Sequence, residues 1–211
     1  MVYKKVYKKV YKRVHMRLTA SIILSFVLFL PAQNCFAVAF CSLRDPLLHI
    51  KELYPSYSNF YASVVDVNII EATMSLNQYK LPFFLHPKEV GKHTVYFIED
   101  ESGRIGIVHP RSEFGKWGVI EIVWSLSLEG EILDYRFQRC RDPACKDALS
   151  GPVKELFKGI SLGNLSRLFN VEGNIAAATA EGLNQDMFET MVKSATKTLI
   201  LTNSFLGQAN P

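Results

Sequence analysis

Cysteine is scarce, and its spacing suits little of cysteine's usual chemistry. The 211-residue chain has four: Cys35, Cys41, Cys140 and Cys145. None forms CxxC or CxxCH, which argues against zinc ligation and excludes a c-type haem. The five histidines, His15, His49, His86, His93 and His109, share no metal-ligand spacing, so no metal is expected. GxSxG, HExxH, the Walker loop and GxGxxG are all absent. That removes the hydrolase, metalloprotease and nucleotide readings that rest on them. No repeat of 20–50 residues points to a solenoid or propeller. Acidic residues are missing from the first 39 positions.

What stands in those 39 positions reads as a secretory leader. Residues 1–17 carry seven basic side chains. Ala20 to Leu30 is an apolar run of signal-core length, too short to span a membrane comfortably. Pro31 ends it, and Ala37-Val38-Ala39 supplies the small residues of a cleavage site. Cleavage is expected after Ala39. The Tyr-Lys-Lys-Val repeat at the start is either an over-extended n-region, with Met16 opening the ordinary leader, or a basic membrane-surface segment. A lipid anchor on Cys41 is disfavoured, because Phe40 occupies the position that needs a small residue.

Removing the leader reverses the charge. The whole chain carries 24 basic and 20 acidic residues, net +4. The mature part keeps 17 against 20, net −3. A mildly acidic domain lacks the basic footprint of a nucleic-acid binder. About 170 residues remain, enough for one domain with a proper core. In an oxidising compartment Cys140 and Cys145 can close a small loop around Pro143. Pairing of Cys41 with either is the rival arrangement, and one thiol is left over in both cases.

The stretch from Trp117 to Phe137 gives the clearest pattern. Ile120, Ile122, Trp124, Leu126 and Leu128 alternate with Glu121, Ser125 and Ser127, as in a half-buried strand. Glu129-Gly130 breaks the run; Leu133, Tyr135 and Phe137 resume it. The result is a β-hairpin. Before it, a helix begins at Asp45-Pro46, with Leu47, Leu48, Ile50, Leu53 and Tyr54 as its apolar stripe. Strands are expected at 60–67, 94–99 and 104–109, a helix at 68–76, and polar loops at 110–116 and 139–147. Leu81 to Pro87 is an apolar loop. Short helices follow around Val153–Phe157 and Leu162–Phe169, then a small-residue loop at 173–182. A last helix is capped by Asn184 and buries Met187, Phe188, Met191, Val192, Ala195 and Leu199. The order predicts an α+β fold: an antiparallel sheet of about five strands, with flanking helices segregated to the N- and C-terminal parts.

Two places could carry chemistry. Arg111, Glu113 and Lys116 precede the hairpin, while Arg139, Arg141 and Asp142 follow it. The ends of an antiparallel pair bring both groups to one rim, beside Trp117, Gly118 and two cysteines. This is either a solvated rim of compensating ion pairs or an anion site. In the second case guanidinium groups take a phosphate or carboxylate and Trp117 offers a stacking face. Gly173 to Gly182 either packs tightly or lets a ligand approach the backbone, at the start of a helix that favours phosphate.

The element order resembles a known family. A hairpin, then Phe157-Lys-Gly-Ile-Ser161, a small-residue loop and a final amphipathic helix are similar to the FMN-binding domain of certain extracytoplasmic subunits. Those subunits belong to sodium-pumping quinone reductases and ion-pumping ferredoxin oxidoreductases. Leu53-Tyr54-Pro55 and Val90-Gly91 fit the same plan, and the resemblance spans most of residues 45–200. The family signature is Ser-Gly-Ala-Thr, one residue, then Ser or Thr carrying FMN as a phosphoester. Here Ala176-Ala177-Ala178-Thr179 is followed by Ala180 and Glu181. A carboxylate cannot form that phosphoester and repels phosphate. The resemblance therefore implies FMN held without a bond, or the fold without its cofactor. With FMN, Trp117, Gly118, Ala177, Ala178 and Thr179 would contact it, and Arg139 and Arg141 would supply charge. Membrane-associated redox proteins would be the partners. Without it, the chain would be a periplasmic binding module, with Cys140 and Cys145 as a redox-responsive pair.

Overall fold

The computed structural model describes residues 45–67, 81–82, 85, 89, 91–170, 172–176 and 183–206. All of them belong to one compact unit spanning 38–211. The leader, the expected helix at 68–76 and most of the 81–87 loop lie outside the described residues.

The sheet is antiparallel and has five strands in sequence order. They are β1 (Asn59–Val67), β2 (Gly91–Asp100), β3 (Gly103–Gly115), β4 (Gly118–Leu126) and β5 (Ile132–Arg139). Helix α1 (Leu47–Leu53) precedes it; α2 (Ala144–Ala148), α3 (Gly151–Phe157), a 3₁₀ helix (Leu162–Leu168) and α4 (Gln185–Leu206) follow. The α+β plan with helices at both chain ends is as the sequence predicts.

Local chemistry sets the boundaries. The Leu47 amide donates to the Asp45 carboxylate (3.0 Å), which starts α1. The Ser102 amide donates to Asp100 (2.7 Å) in the β2–β3 turn, where Gly103 takes a φ of +121°. At that φ a side chain would be strained. The Asp186 amide donates to Asn184 (2.8 Å) at the start of α4.

One sheet face carries the main core. Ile107, Ile120, Ile122, Trp124, Leu126 and Tyr135 lie under α2, α3, the 3₁₀ helix and α4. Trp124 is fully buried, packs on Tyr135 (ring centroids 5.1 Å) and Phe157 (5.7 Å), and donates its indole N–H to Ser194 (3.0 Å). Such ring pairs add about 0.5–1.5 kcal/mol each beyond area burial.

The opposite face is also covered. Ile50 of α1 and Tyr54 just after it pack on Ile98, Val108 and Val123. The Tyr54 hydroxyl donates to the Leu126 carbonyl (3.0 Å) and accepts from Ser125 (2.8 Å). So β4 is buried on both faces, not half-buried as its alternation suggests. Only one face of a two-turn helix meets the sheet, and Leu47 and Leu48 stay exposed. A second correction concerns β5. Its register shifts between Ser125 and Leu126, so Ile132, not Leu133, enters the core. The bulge leaves Leu133 on the outside, and Leu128 sits exposed by the turn.

Gly106 makes room for the α1 contact. A methyl group there would overlap the ring and hydroxyl of Tyr54. Gly106→Ala should lose about 1–3 kcal/mol of unfolding free energy. Tyr54→Phe should not rescue it, because ring carbons are struck as well. Urea unfolding of both variants checks this, and a neutral Gly106→Ala would contradict the packing.

Candidate functional site

The rim exists where hairpin geometry puts it. Gly115 and Gly118 face each other in register across a two-residue turn, Lys116-Trp117, with Gly118 at φ +109°. Lys116 reaches Asp186 in the first turn of α4 (Nζ to Oδ2, 2.9 Å). That hydrogen bond and charge hold the ammonium pKa above its ordinary value, and Asp142 adds to it. Glu121 and Arg139 are register partners, and their side chains lie 3.8 Å apart. The hairpin tip, the exit of β5 and the start of α4 therefore share one end of the sheet.

The loop after β5 is closed by the Cys140–Cys145 disulfide, with Cα atoms 6.4 Å apart. This settles the pairing in favour of the short loop. The second half of the loop expected at 139–147 forms α2 instead; Cys145 and Ala148 are buried, and Tyr135 donates its hydroxyl to the Ala148 carbonyl. The disulfide thus ties the arginine-bearing segment to the core.

The small-residue segment approaches the same end. Phe169 and Ile175 bridge, and Gly173 turns the chain at φ +81°. The Ala176 amide donates to Leu168 (3.0 Å), and its carbonyl accepts from Gln185 (3.4 Å), next to Asp186. Ala177, Ala178 and Thr179 lie outside the described residues. Trp117 is 61% exposed, Phe114 is exposed too, and Arg141 is exposed with no ion pair among the described residues. Trp117, Arg139 and Arg141 stand at the same end of the sheet. The carboxylates of Asp142 and Asp186 oppose an anion there.

Two of the expected rim residues are elsewhere. β3 runs on through Gly115, so Arg111 and Glu113 are strand residues, not loop residues. Arg111 is fully buried, and its Nη2 donates to Glu89 (3.0 Å). Lys197 of α4 joins Glu89 (2.8 Å) to Glu113 (3.0 Å). Two histidines extend the cluster. His93 lies 2.9 Å from the Glu89 carbonyl and 3.4 Å from His109, which meets Thr202 at 2.9 Å. Burial and Arg111 push the His93 pKa down to about 4; burial and His93 push His109 well below its ordinary value.

Pro110 explains the location. The β2–β3 ladder stops at the Tyr96–Val108 pair, just before Pro110, which has no N–H to donate. The stretches of β2 and β3 beyond that last pair carry His93, His109, Arg111 and Glu113. The cluster was visible in the sequence only as a period. Ile107, His109, Arg111 and Glu113 fall at every second position, and all point to α4.

No protein-family model matches the chain, and a search of the curated proteins finds no match.

Proposed function

We propose that this chain is an exported domain of the FMN-binding type that holds FMN non-covalently at the rim and serves membrane-associated redox proteins. The observation that carries the reading is convergence. Trp117, the arginine-bearing exit of β5 and Ala176, the residue before position 177, all come to the start of α4. That is where a planar ring could stack and a phosphate could meet guanidinium groups. Glu181 in place of the acceptor hydroxyl argues against a phosphoester. The flavin would supply the redox chemistry, and the protein its environment.

Titrating the purified chain with FMN tests this. Binding to the folded state alone should raise the melting temperature, by about 2.7 kcal/mol of stabilisation at a hundredfold excess over the dissociation constant. Trp117→Ala should weaken binding roughly tenfold through lost stacking, and Arg141→Gln should weaken it further. The absence of any shift, or a Trp117→Ala variant that binds as well as wild type, would remove the rim as a flavin site.

A second reading, a cofactor-free interaction module, draws on one observation: Lys116 is already engaged by Asp186. In that case the protein ignores FMN, and any redox response is confined to Cys140 and Cys145.

A further inference from the structure

We propose that a groove at the opposite end of α4 binds a monocarboxylate carried on an apolar body. The site is independent of the rim. Helix α4 has 22 residues and is about 33 Å long. Asp186 marks its rim end and Phe205 its groove end.

The groove encloses about 380 Å³ between β1, β2 and the end of α4. That volume lies within the range of small-molecule sites. Val64, Val65 and the edges of the largely buried Phe97 and Phe205 supply the apolar part of its lining. At one end Arg104 lies over the Phe97 ring (4.5 Å to the centroid) and the Tyr61 ring (5.5 Å). The two rings are stacked, 5.2 Å apart and 22° from parallel. Arg104 also donates to the Tyr61 hydroxyl. The guanidinium is therefore held in place before any ligand arrives. Among the described residues it forms no ion pair, its register partner Glu99 on β2 included.

A pre-positioned planar fork with free N–H donors matches a carboxylate, which can take two parallel hydrogen bonds. The apolar part of the lining, away from Arg104, suits a short aliphatic body. Asp66 lines the groove too. A second carboxylate at the far end of the ligand would be set against Val65 and Phe205, with no cation among the described lining residues there, so the groove should prefer monoanions to dianions of the same length.

Calorimetric titration of the full chain with octanoate tests this, with octanol and octanedioate as controls. Saturable one-to-one binding of octanoate is expected, with octanol and octanedioate each bound more weakly. Arg104→Gln should weaken octanoate roughly tenfold or more, through loss of a charge-assisted pair, and leave octanol unchanged. Ser63→Phe, which fills the groove and keeps Arg104, should abolish binding; it decides the matter if Arg104→Gln fails to fold. Overturning results are no saturable binding, equal affinity for octanoate and octanol, or undiminished octanoate binding in a folded variant.

Discussion

Lys197→Met is expected to cost about 3–5 kcal/mol of unfolding free energy, the usual penalty for stripping one partner from a buried ion network. Lys197 is 6% exposed and is the cation shared by Glu89 and Glu113. Without it, two buried carboxylates face one guanidinium. The charge count then predicts a rescue. Lys197→Met with Glu113→Gln leaves a single balanced pair, Arg111 with Glu89, and should recover most of the loss. Urea unfolding of the two single variants and the double variant gives the coupling directly. Strict additivity would mean that the network does not act as a unit.

Acid should unfold the protein through the same cluster. His93 and His109 are neutral when folded and resist protonation, because burial disfavours the charge and Arg111 stands beside them. In the unfolded chain both titrate near 6.5. Above that pH neither state holds the extra protons, and the stabilising contribution is complete. As pH falls below 6.5 the unfolded state binds more protons, and stability drops. The slope approaches about 1.4 kcal/mol per pH unit for each histidine. His93 alone loses on the order of 3 kcal/mol by its folded pKa of about 4. Glu89 and Asp66 soften the effect for His93 by favouring its charged form. Urea midpoints should be flat from pH 8 to 7 and fall steadily to pH 5. His93→Gln should halve the slope. A wild-type profile that stays flat to pH 5 would contradict the neutral pair.

The hairpin and α4 were legible because their periods are clean. Ile120, Ile122 and Trp124 recur at two, and Met187, Phe188, Met191, Val192 and Ala195 recur at helical spacing. The common end of the Lys116–Trp117 turn and the β5 exit followed from antiparallel geometry alone. Arg111 and Glu113 were not legible as strand residues. Pro110-Arg-Ser-Glu has the composition of a loop, and only tertiary partners, Glu89 and Lys197, make those charges tolerable inside. The burial of both β4 faces was hidden for a similar reason: the covering residues, Ile50 and Tyr54, lie some seventy positions earlier. Periodicity also cannot see a bulge, so Leu133 took the place of Ile132. Helix α2 was masked by its own sequence, since Cys140-Arg-Asp-Pro-Ala-Cys145 reads as a turn.

The absorption spectrum of the full chain purified from the cell that makes it bears most directly on the flavin reading. Flavin bands are expected in the native protein, or after incubation with FMN and gel filtration. Acid precipitation should then release all of the colour into solution. A colourless protein that takes up no FMN would contradict non-covalent binding, and so would flavin that stays with the precipitate.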